Sequence, residues 1–210
     1  MIKVVSFDLD GTLADENFDN IFWFREIPRL YAEQHKVSLK KALEAVKEKY
    51  KTSNPQEMVW YDIGFWFRLF NLKHDWKKIL SDLTHLIKIY KDVNPTLTKL
   101  KRKYKLIIVT HSTKVLLDLK IKPNNLDKYF TKIYSTPSDF RSSKTKEIYE
   151  KILKDLNLKP EELIHIGDDK EFDFDVPKKL GIKCFLIDRK RKHKGKFVVR
   201  NLNQFYKRIS

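Results

Sequence analysis

Short apolar runs that each lead to a polar residue limit how this chain can fold. The runs are residues 4–7 before Asp8, Leu106–Val109 before Thr110, Leu163–Ile166 before Gly167-Asp168-Asp169, and 182–187 before Asp188, with a weaker candidate at 132–136. Helical patterns lie between them, at about 95–102, 113–119, 144–156 and 173–180, the last followed by Gly181. Strands that alternate with helices predict a parallel sheet covered by helices on both faces. We therefore expect an α/β fold with a doubly wound parallel sheet.

The first run ends in a pair of acids. Asp8 and Asp10 lie two residues apart, so in an extended segment both side chains point to the same face. Gly11 then allows a sharp turn. Two carboxylates this close repel each other, which indicates a bound metal, a shared proton or a chemical role. An Asp-Gly turn is the simpler alternative, and the spacing to later residues does not match a calcium-binding EF-hand loop.

The polar residues after the strong runs are expected to meet. In doubly wound sheets, ligands bind outside the carboxyl ends of the strands. Asp8, Asp10, Thr110, Asp168 and Asp169 all follow a predicted strand directly or by a few residues. The sequence therefore predicts one polar site at this edge of the sheet.

Residues 15–92 interrupt the alternation and read as four helices. The predicted spans are 18–35, 38–50, 55–72 and 75–90, with Ser38, Asn54 and Asp75 in N-cap positions. All four tryptophans lie here, and aromatic side chains at these densities indicate a bundle core. We expect a core domain of residues 1–14 and 93–210 and an inserted helical domain of residues 15–92.

Composition narrows the class of protein further. The chain of 210 residues has 41% hydrophobic residues but no stretch of 18 uncharged apolar residues, so we expect no transmembrane helix. We expect no signal peptide either, because the first apolar run is short and ends at Asp8. The single cysteine, Cys184, lies in an apolar run and is expected to be a buried thiol in a cytoplasmic protein. The formal charge is +16, and residues 189–210 carry nine Lys or Arg and no acid.

These polar residues, taken in their order along the chain, resemble the motifs of the haloacid dehalogenase-like hydrolase superfamily. The matching motifs are Asp8-Leu9-Asp10-Gly11-Thr12, then Thr110, then Lys144 with Lys146 as the fallback, then Gly167-Asp168-Asp169 with Asp173. The resemblance implies a Rossmann-like core, a helical cap formed by residues 15–92, and a Mg²⁺-dependent phosphatase that acts on a small phosphorylated metabolite.

The residue types suit that chemistry. A carboxylate such as Asp8 can attack phosphorus and form an aspartyl-phosphate. Asp8, Asp168 and the backbone carbonyl of Asp10 are oxygen ligands of the kind Mg²⁺ prefers. Asp10 can act as general acid and base, whereas Thr110 and Lys144 can stabilise the transferred phosphoryl group.

The sequence leaves several supporting roles open. Either Asp169 or Asp173 can support the metal or anchor Lys144. His111 and Ser112 follow Thr110 and can contact the phosphate or cap the next helix, and capping is the expected role of Ser112.

Two other functions are considered. A 2-haloacid dehalogenase would share the fold, but halide leaves without a proton, and these enzymes typically lack the second aspartate that Asp10 provides. Alternatively, the basic segment 189–210, with Phe197, Phe205 and Tyr206, could bind nucleic acid by stacking and phosphate contacts. The apolar spacing in this segment instead favours a last strand and helix packed on the sheet, with the basic loop 189–196 steering anions towards the site.

Overall fold

The computed structural model describes residues 1–52 and 61–210. The chain divides into two compact units: Met1–Asp15 with Ile89–Ser210, and Glu16–Lys88. We call them the α/β unit and the helical unit. The sequence places the boundaries at 14/15 and 92/93, so the later boundary lies a few residues earlier in the structure.

The α/β unit contains a six-stranded sheet in the order β3-β2-β1-β4-β5-β6. Its strands are β1 Val4–Phe7, β2 Lys105–Thr110, β3 Lys132–Ser135, β4 Leu163–Gly167, β5 Lys183–Ile187 and β6 Val198–Val199. Every neighbouring pair is parallel. β1 lies inside the sheet between β2 and β4, so the carboxyl ends of these three strands are adjacent.

Helices cover both faces of this sheet. They are α6 Val93–Leu100, α7 Lys114–Lys120, α8 Thr136–Phe140, α9 Lys146–Asp155, α10 Val176–Lys178 and α11 Leu202–Ile209. Val5 and Phe7 of β1 belong to an apolar cluster with residues of α6, α7 and α11, whereas Val4 belongs to a second cluster with residues of α9. This alternation follows from the two-residue period of a strand. It confirms the predicted doubly wound α/β fold.

The helical unit contains α1 Asn17–Ile21, α2 Ile27–His35, α3 Leu39–Thr52, α4 Ile63–Leu69 and α5 Trp76–Asp82. A π-helical segment, Phe22–Glu26, joins α1 to α2, so the helical path runs from Asn17 to His35. Tyr50 of α3 packs against Trp66, with ring centroids 4.8 Å apart at 89°. Both side chains are buried, which agrees with an aromatic core.

The fourth predicted helix of this region ends early. Asp75 caps α5 as expected, since its side chain accepts hydrogen bonds from the backbone N–H groups of Lys77 and Lys78. The helix stops at Asp82, however, and not at Tyr90. The backbone N–H of Tyr90 instead donates to the carbonyl of Leu13. The predicted cap Asn54 and the start of the third helix lie outside the described residues.

The start of α9 also differs from its prediction. The sequence pattern places a helix over 144–156, whereas α9 begins at Lys146 with Thr145 as its N-cap residue. Lys144 therefore precedes the helix and belongs to a loop. The predicted helix over 173–180 becomes a π-helical segment, Lys170–Asp175, followed by the short α10.

The C-terminal basic segment packs on the sheet. Phe205 is fully buried and packs edge-on against Phe7 and Phe185, so its ring is not accessible for stacking on a base. Arg189 pairs with Asp92, and Arg200 pairs with Asp188. Within residues 1–52 and 61–210, none of the helices has both the length and the apolar character needed to span a bilayer.

Candidate active site

The turn after β1 carries the first two acids. The backbone N–H of Asp8 donates to the carbonyl of Ile166 in β4, which continues the sheet register to the acid itself. Gly11 has a φ of +77°, and a Cβ at this position would lie 2.2 Å from Oδ2 of Asp168. Glycine is therefore required here both for its backbone conformation and for the close approach of Asp168.

Lys144 lies between two carboxylates. Its Nζ donates to Oδ1 of Asp8 at 2.5 Å and to Oδ1 of Asp173 at 2.7 Å, and all three side chains are buried. Burial opposes the charge of Lys144, but Asp173 and Asp8 outweigh that effect and raise its pKa above the ordinary value. Lys146 is more than half exposed and pairs with Glu150, so the structure brings Lys144 rather than the fallback lysine to Asp8.

The same interactions shift the pKa values of Asp8 and Asp173 in opposite directions. Burial raises the pKa of Asp8 to about 7, with Lys144 opposing the shift and Asp173 and Asp10 adding to it. Burial also disfavours the charge of Asp173, but Lys144 and the hydrogen bond from His165 lower the pKa of Asp173 below its ordinary value.

Asp173 is held from several sides. His165 Nε2 lies 3.0 Å from its Oδ1, and the backbone N–H of Asp169 donates to its Oδ2 at 3.1 Å. A Cβ on Gly167 would lie 2.2 Å from the Asp173 carboxyl group, so the chain can approach the acid only with glycine at that position. These contacts fix the carboxylate that anchors Lys144.

Three acids of this edge form a cluster suited to a metal ion. Asp8, Asp168 and Asp173 each offer a carboxylate oxygen, and these oxygens lie within 4.8 Å of one another. Three carboxylates beside the single ammonium of Lys144 leave an excess of negative charge, and an all-oxygen donor set matches a hard divalent cation such as Mg²⁺. The side chain of Asp10 is not part of this cluster. A metal contact from Asp10 would therefore come from its backbone carbonyl, and this contact stays a prediction.

The last residue of β2 and the loop after it complete the site. Thr110 is buried, and its Oγ1 accepts a hydrogen bond from the backbone N–H of Ser112 at 3.0 Å. His111 Nε2 accepts from the backbone N–H of Lys144 at 2.9 Å, which links this loop to the lysine. Burial, aided by the nearby Lys144 charge, lowers the pKa of His111 to about 3, so the ring is neutral and able to accept.

Two supporting residues have roles that the sequence left open or misassigned. Ser112 does not cap α7, whose N-cap residue is Thr113; its Oγ donates to Oδ2 of Asp10 at 2.5 Å instead. Asp169 caps the segment Lys170–Asp175 by accepting from backbone N–H groups. Asp173, and not Asp169, therefore anchors Lys144.

Sequence reasoning missed two residues of the site. Lys120 of α7 is buried, and its Nζ donates to Oδ1 of Asp10 at 2.7 Å. Its signal is in the sequence, because Leu116, Leu117 and Lys120 have the spacing of one helix face, so the lysine falls on an apolar side. His165 lies within the apolar run of β4, where a lone polar residue needs a buried partner.

Comparison with known proteins agrees with this geometry. A family model described as haloacid dehalogenase-like hydrolase matches residues 5–187. GMP/IMP nucleotidase YrfG of Escherichia coli is 25% identical over 186 residues, covering 88% of this chain and 82% of that protein. Pyrophosphatase PpaX of Bacillus mycoides is 28% identical over 175 residues, covering 80% and 75%.

Solved structures show the same fold. The crystal structure of a HAD phosphatase from Thermococcus onnurineus has a TM-score of 0.88 at 25% identity, covering 100% of this chain and 98% of that one. The magnesium-bound YfnB from Bacillus subtilis has a TM-score of 0.67 at 16% identity, covering 98% and 97%, which shows the shared fold.

The parallel sheet and the acids at its carboxyl edge define an α/β protein with an acidic candidate site. The chain belongs to the haloacid dehalogenase-like hydrolases. Its relatives include proteins named for phosphatase-type reactions.

Proposed function

We propose that this hydrolase is a Mg²⁺-dependent phosphatase that cleaves a small phosphorylated metabolite through an aspartyl-phosphate on Asp8. The observation that carries the proposal is the position of Asp8, which contacts Lys144 and shares a cluster with Asp168 and Asp173 while Asp10 follows on the same turn. The proximity of these groups supports the roles that we propose: Asp8 as nucleophile, Lys144 as its counter-charge and Asp10 as the second acid.

Covalent catalysis follows from this arrangement. An oxygen of the Asp8 carboxylate forms a bond to phosphorus while the bond from phosphorus to the ester oxygen breaks. In this step Asp10 must be in its protonated form: it donates its proton to the leaving oxygen, the alcohol departs, and Asp10 is left as a carboxylate. Asp10 then accepts a proton from water, which attacks the phosphorus of the aspartyl-phosphate, releases phosphate and restores Asp8.

Charge control comes from the residues around the nucleophile. Lys144 holds Asp8 and balances negative charge as the phosphoryl group approaches, and Thr110 is proposed to donate a hydrogen bond to a phosphoryl oxygen. Asp8, Asp168 and the Asp10 carbonyl would hold Mg²⁺, with Asp173 as supporting acid. When bound, the ion neutralises charge between the carboxylate and the phosphoryl oxygens.

Asp10 separates phosphatase from dehalogenase chemistry. An alkoxide leaving group needs a proton and a halide does not, so a positioned second aspartate favours ester hydrolysis. Asp10 is held by two hydrogen bonds, from Lys120 and Ser112, as expected of a group with a function.

The substrate class is narrowed by the named relatives. Because those proteins are a GMP/IMP nucleotidase and a pyrophosphatase, we propose a small phosphate ester or anhydride as substrate. The helical unit, Glu16–Lys88, is proposed to act as the cap that selects it.

A substrate panel with and without metal tests the proposal. Nucleoside monophosphates, sugar phosphates, pyrophosphate, p-nitrophenyl phosphate and 2-chloropropionate are assayed with Mg²⁺, with EDTA, and with Mg²⁺ restored after EDTA. We expect phosphate release that EDTA abolishes and Mg²⁺ restores. Metal-independent chloride release would instead favour the dehalogenase.

Variants at the two acids test the mechanism. Asp10→Asn should lower turnover about 10²- to 10⁴-fold, the usual range for general acid–base catalysis, and Asp8→Asn at least as much. Asp118→Asn is the matched control, because Asp118 is 70% exposed on α7. Phosphatase activity that survives in Asp8→Asn would rule out the covalent route.

A further inference from the structure

Lys120 is a buried lysine that contacts Asp10 but takes no direct part in the steps proposed above. It is the last residue of α7, and it is only 1% exposed. Leu116 and Leu117 lie on the same buried side of the helix. A lysine is almost never buried this completely unless its ammonium group has a charged partner, because an unpaired charge loses its hydration.

The second acid of the site, Asp10, is one such partner. Lys120 Nζ donates to Oδ1 of Asp10 at 2.7 Å, and Ser112 Oγ donates to Oδ2 of the same carboxylate at 2.5 Å. Both oxygens of Asp10 are thus engaged, one by an ammonium and one by a hydroxyl. The Asp10 side chain remains 27% exposed, so the carboxylate is held from its buried side and still reaches solvent.

We propose that Lys120 is a positioning residue that holds the Asp10 carboxylate in the orientation from which it exchanges a proton with the substrate. This inference rests on the proposed phosphatase function. Free rotation of an aspartate side chain would move its oxygens away from a leaving group, whereas proton transfer requires hydrogen-bond reach. A group misplaced by about 1 Å can cost on the order of 10²-fold in rate.

The role of Lys120 predicts a dependence on the leaving group. An aryl phosphate with a good leaving group needs little help from an acid, but an alkyl phosphate needs a proton as its ester bond breaks. The value of kcat/KM reports the steps up to transfer of the phosphoryl group to Asp8, so a poorly placed Asp10 affects alkyl esters most. Loss of fold would lower kcat/KM for both classes alike.

The first experiment measures kcat/KM for a series of alkyl and aryl phosphates with Lys120→Met, which keeps side-chain length and removes the ammonium. We expect a loss of about 10- to 100-fold for alkyl phosphates, which is part of the usual general-acid contribution. For p-nitrophenyl phosphate we expect a loss of less than about threefold. Lys122→Met is the matched control, because Lys122 is 75% exposed and pairs only loosely with Asp118 at 3.7 Å. An equal loss for both substrate classes would overturn the proposal, and so would an unchanged or increased kcat/KM for alkyl phosphates, because the Lys120 charge would then hinder protonation of Asp10 more than its hydrogen bond helps.

A second experiment asks whether Lys120 acts through Asp10. If it does, Lys120→Met, which alone costs about 10- to 100-fold on alkyl phosphates, has less than about a twofold further effect on alkyl phosphate hydrolysis in an Asp10→Asn background. Independent, multiplicative losses would show that Lys120 acts elsewhere. If Lys120→Met does not fold, Lys120→Gln carries both tests. The glutamine side chain is polar but shorter and uncharged, so it is expected to show a preferential loss on alkyl phosphates that is smaller than that of Met.

The two proposals fail in different ways. If Asp10→Asn itself lowers hydrolysis of alkyl and aryl phosphates equally, the assignment of Asp10 as general acid is wrong. If Asp10→Asn is selective for alkyl phosphates and the Lys120 variants are not, the acid is assigned correctly and the role of Lys120 is wrong. Lys120→Arg, which keeps a cation, is expected to recover part of the selectivity that Lys120→Met loses.

Discussion

Two lysines in neighbouring positions should differ sharply in their contribution to stability. The Lys144 side chain is 2% exposed and joins Asp8 and Asp173, whose side chains are 7% and 1% exposed. The Lys146 side chain is 57% exposed, and its Nζ lies 3.6 Å from Glu150. Substituting each by Met keeps an unbranched side chain and removes one charge, so the pair isolates the effect of burial.

The magnitudes follow from the surroundings. Lys144→Met leaves two buried carboxylates without their counter-charge, and breaking a buried ion pair in this way typically costs about 3–5 kcal/mol. Lys146→Met removes an exposed pair on one helix, which is worth about 0.5 kcal/mol or less. For a protein of this size each kcal/mol corresponds to about 2–4 °C in Tm, so Lys144→Met should lower Tm by about 6–20 °C.

Urea unfolding followed by far-ultraviolet circular dichroism, together with calorimetry, measures both variants. EDTA is present throughout, so that metal binding does not add to the free energy of unfolding. The reasoning is refuted if the unfolding free energy of Lys144→Met lies within about 1 kcal/mol of that of the parent protein, or if the two variants have the same unfolding free energy.

Three further predictions concern the surroundings of the site. Gly11→Ala should raise the Mg²⁺ concentration needed for half-maximal activity, because the added Cβ would displace Asp168. Gly181→Ala is the control, since Gly181 also has a positive φ but its added Cβ would lie 3.6 Å from the nearest atom; equal Mg²⁺ titrations of the two variants would contradict the prediction. Asp188 accepts a hydrogen bond from the Arg200 guanidinium at 2.7 Å. Burial disfavours the charge of Asp188, but hydrogen bonds from backbone N–H groups and from Arg200 outweigh it and lower the pKa of Asp188 to about 2. Asp188→Asn should therefore cost about 1–3 kcal/mol of unfolding free energy at pH 7, and the difference from the parent should shrink in urea titrations as pH falls from about 4 towards 2. Replacing Arg191, Lys192 and Lys194 by Gln should lower kcat/KM at low ionic strength only, and an unchanged salt dependence would exclude steering.

The sheet and its acidic edge could be predicted because their signals are local. A buried parallel strand is a continuous apolar run, and each run shows directly which polar residue follows it. Asp8, Thr110 and Asp168 could be placed together from this pattern and the rule for ligand sites in doubly wound sheets.

The partners of these residues could not be predicted in the same way. Ser112 has the local appearance of a helix cap, and only the fold brings Asp10 to its hydroxyl. Residues 83–90 have an apolar pattern that suits a helix, but tertiary contacts prevail: Ile89 forms an antiparallel bridge with Ala14, and the Arg189 guanidinium lies 3.7 Å from the centre of the Tyr90 ring. Such contacts depend on residues far away in the chain.

The strand that leads to Asp8 is synthesised well before its two neighbours in the sheet, which begin at Lys105 and Leu163. On the ribosome, β1 must therefore wait without a partner while all of Glu16–Lys88 is made. Pairing over such separations is slow because long loops must close first. The acidic cluster can assemble only after Asp173 has emerged, so a product terminated before that residue lacks part of the proposed active site.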